Sequence, residues 1–350
     1  MKDFKLVRKV YQKIFKRKME HEIIPDKEEL VNLDEEKVNG ITSNNISEQN
    51  DNEAKIKKYD TQDIVRTFEE LDIALDKYNS CRELFIFDVH SFFKLFDNGD
   101  GNPYVNDPFS KEYENYEMCF FEFLANKQYT FDNEGPQSHN SHDLHIINTI
   151  SSKHPDFFMP VEKKIDRFQT YNSLLSILTD EISCFNEKQI LEMGCGWGAL
   201  ASFFETLDCN YFAVDASESF VEFTKRRLYT ENSKKQIYLK SFYDISDICL
   251  KFDIVIFEES FHHCGEPQKL LDTINKNTTP DAVLIFINEP IVDGYDRPWG
   301  LVRYDYETIA MIRVRGWLEY GYELSFFSEL LNKYGWQIVK TGKIIVAKRL

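Results

Sequence analysis

The chain has 350 residues, enough for one large domain or two ordinary ones, and 42% of them are hydrophobic, which is enough for a substantial core. Its 59 acidic and 42 basic residues give a net charge of −17, which argues against binding to a nucleic-acid backbone as the main activity. The sequence shows no apolar run of membrane-spanning length and no secretory signal, and its seven cysteines form no C-x-x-C pair. These features predict a cytoplasmic protein with reduced thiols.

The amino-terminal part of the chain divides into three predicted segments. Residues 1–25 are predicted to form a basic amphipathic helix, because eight basic residues among the first twenty alternate with apolar residues at steps of three and four. This helix is either an arm for peripheral contact with a membrane surface or a partner, or a solvated leader. Residues 26–56 are rich in Glu, Asp, Asn and Ser, and are predicted to form an acidic flexible linker.

Residues 57–164 are predicted to be a mostly helical region that caps the domain following it. Ser110 is expected to be the N-cap of one helix, which runs to about Leu124. Another helix is expected to begin at Pro160 and to bury Ile165, Phe168, Tyr171, Leu174 and Leu175 on one face.

Three histidines between these helices raise the question of a metal site. His139, His142 and His145 lie close together in a polar stretch. No cysteine or acid set completes a tetrahedral site with them, so a polar loop near the cleft is favoured and no metal is predicted.

A glycine-rich loop organises the second half of the chain. Ile190 and Leu191 indicate the end of a buried strand, and an apolar helix is expected to begin at Ala199. Glu192 precedes the loop; a carboxylate there would repel a pyrophosphate but hold a cationic amino group. The loop must turn sharply and let a ligand approach its backbone, which requires glycine. Its residues are Gly194, Cys195, Gly196, Trp197 and Gly198.

The loop by itself leaves two nucleotide families open, because Gly194, Gly196 and Ala199 also satisfy the dinucleotide pattern G-x-G-x-x-A. A second apolar run ends at Asp215, where an acid would accept hydrogen bonds from a ribose diol in either family. Further strands are predicted at residues 252–257 and 282–288, and a terminal pair at 336–339 and 343–347.

This ordered set of motifs over residues 165–350 resembles the class I S-adenosylmethionine (SAM)-dependent methyltransferases. The resemblance implies an α/β, Rossmann-like fold, in which a seven-stranded sheet ends in an antiparallel strand pair and follows a mostly helical amino-terminal region. It implies SAM as the cofactor. Ser241 stands where an Asp of the family usually contacts the adenine, so either Ser241 with the Phe242 backbone or Asp244 takes that role. The implied cofactor-binding residues are Glu192, the loop from Gly194 to Gly198, Asp215, Ala216, Ser241, Phe242 and Glu258.

The resemblance also places the acceptor beside the end of the fourth strand of the sheet, which is the strand predicted at residues 252–257. If the acceptor is a hydroxyl, a base must remove its proton, and histidine titrates near neutrality. His262 is the favoured base, and the alternatives are that neither histidine acts as the base or that His263 does. Glu258 or Glu259 is expected to orient His262.

Residues 291–328 are predicted to form a substrate-facing insertion rich in Trp, Tyr, Arg and Asp. Aromatic faces with charged side chains suit a polyhydroxylated substrate, although packing of a helical lid explains the same composition. The block resembles methyltransferases of glycan-assembly gene clusters, which implies O-methylation of a sugar, nucleotide-sugar or glycan intermediate. The predicted substrate contacts are Glu259, Glu289, Arg303 and Tyr304.

Two other functions stay open from the sequence. One is N- or C-methylation of another metabolite. The other is a non-catalytic partner subunit, which the intact glycine loop and Asp215 disfavour. The segment after the fourth strand lacks the Asn/Asp-Pro-Pro-aromatic signature of nucleic-acid amino-methyltransferases, so a small-molecule acceptor and no nucleic-acid partner are expected.

Overall fold

Strands and helices alternate along the second half of the chain. The structure is a computed structural model that describes residues 65–78, 107–126, 128–129, 161–180, 182, 184–207, 209–225, 228, 234–295, 297–301, 303 and 305–350. The strands are β1 Gln189–Met193, β2 Asn210–Asp215, β3 Lys235–Leu239, β4 Phe252–Glu258, β5 Thr278–Ile287, β6 Ile291–Val292, β7 Trp299–Gly300, β8 Gly321–Glu323, β9 Trp336–Lys340 and β10 Ile344–Arg349. The helices are α1 Phe68–Tyr78, α2 Lys111–Ala125, α3 Val161–Asp180, α4 Ala199–Glu205, α5 Glu218–Lys225, α6 Pro267–Asn277, α7 Tyr306–Ala310 and α8 Leu324–Lys333.

A seven-stranded sheet forms the centre, in the order β3-β2-β1-β4-β5-β10-β9. The strands from β3 to β5 pair in parallel, whereas β10 pairs antiparallel with both β5 and β9. This sheet confirms the predicted Rossmann-like fold with its terminal antiparallel pair. Strand order reverses between β1 and β4, and ligands of open α/β sheets bind outside the carboxyl ends of the strands at such a point.

Alternating side chains of the parallel strands build two hydrophobic cores, one on each face of the sheet. Ile190 of β1 and Ile254 of β4 face one core with α3, α4 and α5. Their neighbours Leu191 and Val255 face the other core with α2, α6 and α8. These strands are buried on both faces, which explains why the sequence shows them as continuous apolar runs.

The helix predicted to begin at Pro160 is α3, but the prediction of its buried face was partly wrong. Tyr171 and Leu174 are buried, whereas Ile165 and Phe168 are 52% and 65% exposed. The buried residues of α3 begin at Thr170, because only the second half of the helix contacts the core beside the sheet.

The insertion between β5 and β9 contains a small sheet in the order β6-β8-β7, in addition to the expected helix. The small sheet packs against α2, and the contacting residues Tyr113 and Trp299 are 186 residues apart along the chain. The Tyr113 hydroxyl donates to the Trp299 carbonyl oxygen at 2.8 Å, and the Trp299 indole donates to the Pro108 carbonyl oxygen at 3.0 Å. Trp299, Tyr320 and Tyr322 are buried. These aromatic residues therefore form a core, and the expectation that they present stacking faces to a substrate was wrong.

A buried ion pair also joins α2 to the insertion. Nη1 of Arg297 lies 3.5 Å from Oε1 of Glu117, and both side chains are 1% exposed. Gly300 has a φ of +128°, and a Cβ at this position would overlap the Glu117 carboxylate. Glycine is therefore required where β7 passes over this carboxylate.

Several predictions concern residues outside the described ranges. They include the basic helix of residues 1–25, the linker of residues 26–56 and the three-histidine stretch. The division of the chain at residues 57 and 165 stays a prediction.

Ser110 caps α2 as expected, since its hydroxyl accepts from the Tyr113 N–H at 3.1 Å. Among the helices described, none is both long and apolar enough to span a bilayer.

Candidate active site

The glycine loop follows β1 at the point where strand order reverses. The N–H groups of Gly194 and Cys195 donate to the Val214 carbonyl oxygen at 2.9 and 3.1 Å, which folds the loop back against β2. Gly194 has a φ of +82°, and a Cβ there would lie 2.8 Å from Cβ of Ser260. Gly196 has a φ of +45° and open space where its Cβ would be. The loop thus needs glycine for its turn and leaves room beside its middle residue.

Asp215 at the end of β2 fixes the loop from the other side. Its carboxylate accepts hydrogen bonds from the N–H of Gly196 at 2.9 Å and from the N–H of Ser217 at 2.8 Å. The Thr224 hydroxyl donates to the Gly196 carbonyl oxygen at 3.1 Å. A carboxylate oxygen can accept two hydrogen bonds, so this role in the loop is compatible with the predicted ribose contact.

Glu192 lies in β1 beneath the loop and is 2% exposed. The Tyr211 hydroxyl donates to its carboxylate. Burial raises the pKa of Glu192 well above its ordinary value, and the negative charges of Glu258 and Asp215 raise this pKa further. A bound cation would relieve that repulsion and stabilise the carboxylate. These carboxylates therefore fit a ligand that carries a positive charge, as the ammonium and sulfonium groups of SAM do.

Other predicted cofactor residues surround the same strand ends. The Ser241 hydroxyl donates to the Asp244 carboxylate at 2.7 Å, so the two alternatives for the adenine contact form one pair. Glu258 accepts from the Tyr171 hydroxyl at 3.0 Å. Ala216 is exposed directly after Asp215.

The side chains of the glycine loop differ in their surroundings. Trp197 is 43% exposed and contacts Phe220 edge-on, with ring centroids 4.7 Å apart. The Cys195 side chain is buried in the core, so the backbone of this residue is the part near the loop surface.

His262 lies in a short 3₁₀ turn, Phe261–His263, that follows β4. Its Nδ1 is 2.8 Å from Oε2 of Glu289, which follows β5, and the Glu289 side chain is 2% exposed. The Glu289 carboxylate also accepts from the N–H groups of Ser260 at 2.8 Å, Phe261 at 2.9 Å and His262 at 3.2 Å. Glu289 thus both caps the turn and holds the imidazole.

These contacts stabilise the ionised form of the Glu289 carboxylate. Burial alone would raise its pKa, but the neighbouring His262 and the N–H donors of Ser260 and Phe261 lower it below the ordinary value of 4.5. An ionised Glu289 accepts a hydrogen bond from Nδ1–H of His262, which leaves Nε2 of a neutral imidazole as the proton acceptor.

This arrangement corrects two predictions. The acid that contacts Nδ1 of His262 is Glu289, whereas Glu258 accepts from Tyr171 and Glu259 is exposed. Glu289 was expected to contact substrate, yet its carboxylate is turned to the 3₁₀ turn and the imidazole. The signal was available, because neighbouring parallel strands β4 and β5 bring the residues that follow them to the same edge.

A segment of the insertion reaches the same histidines. The Leu318 carbonyl oxygen lies 2.6 Å from Nδ1 of His263, and the Tyr320 N–H donates to the His262 carbonyl oxygen at 3.0 Å. The buried carboxylate of Glu319 lies 3.7 Å from Nε2 of His262 and accepts from Nη2 of Arg303 at 3.2 Å. Glu319 could not be predicted, because nothing in the sequence of the insertion indicates which of its residues returns to the end of β4.

Of the predicted substrate residues, Glu289 holds His262, and Arg303 lies beside the site, where it donates to Glu319. Tyr304 lies outside the described residues. Glu259 has a φ of +50°, and its carboxylate accepts from the side-chain amide of Asn288, which has a φ of +55°. Two non-glycine residues in this sparsely populated region follow adjacent strands, and such strain is often found at functional sites.

Comparison with known proteins agrees with this geometry. A family model described as "Methyltransferase domain" matches residues 191–284. "Ubiquinone biosynthesis O-methyltransferase, mitochondrial" of Schizosaccharomyces pombe is 29% identical over 108 residues, which are 30% of this chain and 39% of that protein. "Ubiquinone biosynthesis O-methyltransferase" of Rickettsia bellii is 27% identical over 114 residues, or 33% of this chain and 47% of that protein. The chain thus spans less than half the length of both relatives.

A similar solved structure is that of magnesium protoporphyrin IX methyltransferase from Synechocystis PCC 6803 with bound SAM. It is 15% identical and has a TM-score of 0.43, with 60% of this chain and 93% of that chain covered. The matched family, the strand order and the glycine loop with the buried carboxylates of Glu192 and Asp215 beside it are features of one domain type. Residues 191–284 thus match a methyltransferase domain, and the sheet that contains them has the fold of the class I SAM-dependent methyltransferases, whose cofactor is S-adenosylmethionine.

Proposed function

We propose that this protein transfers the methyl group of SAM to a hydroxyl oxygen of a small-molecule acceptor. The observation that carries the proposal is the pair of His262 and Glu289, joined at 2.8 Å at the strand edge that also bears the glycine loop. Ser260 links the two parts of the site, because its hydroxyl donates to the Met193 carbonyl oxygen at 2.5 Å. The base is therefore fixed relative to the cofactor loop.

The cofactor side of the proposal rests on Glu192, Asp215 and the glycine loop. Glu192 would attract the ammonium group, and Asp215 would accept from the ribose hydroxyls while it holds Gly196 in place. Ser241 and Phe242 lie at the start of the segment after β3 and would border the adenine. Bound SAM supplies an electrophilic methyl group on a sulfonium, and positioning of donor and acceptor provides much of the acceleration.

The acceptor side requires one proton transfer. As the acceptor oxygen forms its bond to the methyl carbon, the carbon–sulfur bond breaks and its electron pair stays on sulfur. The acceptor proton moves to Nε2 of His262, and Glu289 stabilises the imidazolium that forms. Glu319, 3.7 Å from that nitrogen, would accept a hydrogen bond from another polar group of the acceptor.

Two observations support oxygen as the methylated atom: the histidine base, and the two relatives, which are named O-methyltransferases. The narrower prediction, a sugar, nucleotide-sugar or glycan intermediate, stays a prediction. The burial of Trp299 and Tyr322 removes part of its basis, and Trp317, edge-on to His263 with ring centroids 5.6 Å apart, is an aromatic residue beside the site. A cytoplasmic location and the absence of a nucleic-acid partner also stay predictions.

Two other functions are alternatives. N-methylation would require less help from a base, C-methylation would require removal of a proton from carbon, and a non-catalytic subunit would need neither His262 nor Glu289. The buried carboxylate held against His262 favours an enzyme that moves a proton, because burying that charge is costly unless it is paired.

The test begins with methyl-labelled SAM, the purified protein and a cell extract, followed by identification of the labelled product by mass spectrometry. His262→Ala is expected to keep SAM affinity and to lose about a hundred- to ten-thousand-fold in turnover. The residual rate should rise with pH as the acceptor ionises without help. Equal turnover in the variant and the wild type, or a product methylated on nitrogen or carbon, would overturn the proposal.

A further inference from the structure

His262, His263 and Glu319 bring three possible metal-ligand atoms together next to the cofactor loop. One nitrogen from each histidine and one carboxylate oxygen lie within 4.8 Å of one another. His262 and Glu319 are buried, and His263 is half-buried. The proposed methyl transfer uses one nitrogen of His262, and it does not account for His263 or for the approach of a buried carboxylate to both rings.

The second nitrogen of each ring is already held by an acceptor. Nδ1 of His262 contacts the Glu289 carboxylate at 2.8 Å, and Nδ1 of His263 contacts the Leu318 carbonyl oxygen at 2.6 Å. A carbonyl oxygen only accepts, so Nδ1 of His263 carries the proton and Nε2 has the lone pair. Histidines that bind metals characteristically donate their other ring N–H to a carboxylate or a backbone carbonyl. Both acceptors that this pattern requires are present here.

We propose that His262, His263 and Glu319 form a binding site for a divalent transition-metal ion of the zinc type. Two imidazole nitrogens and one carboxylate match the ligand preference of Zn²⁺ and its first-row neighbours. Mg²⁺ prefers oxygen ligands in an octahedral shell, so the site should discriminate against it. The adjacent Glu289 adds a second negative charge close to the ion.

Arg303 opposes metal binding at this site. Its Nη2 lies 3.2 Å from Oε2 of Glu319, and its side chain is 45% exposed. A metal would have to displace this guanidinium, which can move towards solvent. Removal of the Arg303 charge should therefore strengthen metal binding, whereas removal of a ligand should weaken it.

Metal binding and base catalysis would exclude each other, because both use Nε2 of His262. If the proposed methyl transfer is correct, zinc should inhibit it reversibly, and a chelator should restore it. Binding of the ion does not depend on that activity. If the proposed methyl transfer is not observed, measurements of zinc binding still test the metal site.

The test is calorimetric titration of the full, SAM-free chain with ZnCl₂, with MgCl₂ as the comparison ion. We expect one zinc per chain and no measurable response to magnesium. His263→Gln and Glu319→Gln should weaken zinc binding by about tenfold or more, in the range known for altered metal sites. Arg303→Gln should strengthen binding, and Glu329→Gln, which changes an exposed acid of α8, should match the wild type.

Zinc affinity that is the same in wild type, His263→Gln and Glu319→Gln would overturn the proposal, because exposed thiols such as Cys119 and Cys184 would then hold the ion. Titration of the wild type with Co²⁺ gives a readout that does not depend on the folding of the variants. Visible bands of a four- or five-coordinate site without a thiolate charge-transfer band are expected. Absence of those bands, or a thiolate band, would also overturn it.

Discussion

Glu289→Gln is the substitution that tests the site most directly. It preserves the shape of the side chain and replaces one acceptor oxygen by an NH₂ group. The wild-type carboxylate accepts from three backbone N–H groups and contacts Nδ1 of His262. In either orientation of the amide, its NH₂ group faces N–H groups of the 3₁₀ turn. Where the NH₂ group faces His262, it favours the tautomer with the proton on Nε2, which cannot accept a proton from the acceptor.

The expected effect is large on turnover and moderate on stability. Loss of a positioned base lowers the rate by about 10²- to 10⁴-fold. Hydrogen bonds to a charged group contribute about 1.5–3 kcal/mol each, and the amide retains part of them, so the unfolding free energy should fall by about 2 kcal/mol. The pKa of Glu289 is lowered in the fold, so its stabilising contribution is present at neutral pH and is lost as the pH falls.

Three measurements separate these effects. Turnover of the labelled acceptor should collapse while calorimetry shows unchanged SAM affinity. Nitrogen-15 NMR of the histidines should show Nδ1–H for His262 in the wild type and Nε2–H in the variant. Glu329→Gln is the matched control, an exposed acid of α8 changed in the same way. Wild-type turnover together with an unchanged His262 tautomer would refute the role given to Glu289.

Three further predictions follow from the same geometry. Gly194→Ala should lower the unfolding free energy by about 2–4 kcal/mol, since its φ is +82° and the new Cβ would lie 2.8 Å from Cβ of Ser260. Asp215→Ala should weaken SAM binding by about 1–3 kcal/mol in calorimetry, because the N–H groups of Gly196 in the loop and of Ser217 lose their acceptor. Glu117→Gln should flatten the pH dependence of stability, because burial raises the pKa of Glu117 to about 7 and Arg297 offsets this only in part.

The sign for Glu117 follows from its raised pKa. The folded state keeps a proton that the unfolded state loses between about pH 4.5 and about pH 7, so stability is present below this window and is lost as the pH rises through it. The shift corresponds to about 3 kcal/mol. Chemical denaturation at a series of pH values measures this pH dependence, and parallel curves for wild type and Glu117→Gln would contradict the prediction.

The other two predictions have their own checks. Gly196→Ala, with open space at its Cβ, is the milder control for Gly194→Ala. Undiminished SAM affinity in Asp215→Ala would contradict the role given to Asp215.

The sequence by itself determined the fold and the cofactor loop, because both are local properties. Buried parallel strands are continuous apolar runs, and a turn with positive φ beside a ligand requires glycine at particular positions such as Gly194. An acid two residues before that glycine and another at the end of the next strand, Glu192 and Asp215, identified the family. The resemblance to that family then implied the order of the sheet, including its terminal antiparallel pair.

The tertiary structure decided which acid holds His262 and what the insertion does. Glu289 lies 27 residues after His262 along the chain and reaches it because the neighbouring strands β4 and β5 end at one edge. Glu319 comes from an insertion whose path depends on packing against α2. The aromatic residues Trp299 and Tyr320 are buried in that contact, although composition alone fits a substrate surface equally well. Contacts between distant segments depend on the complete packing of the chain, and local patterns do not encode them.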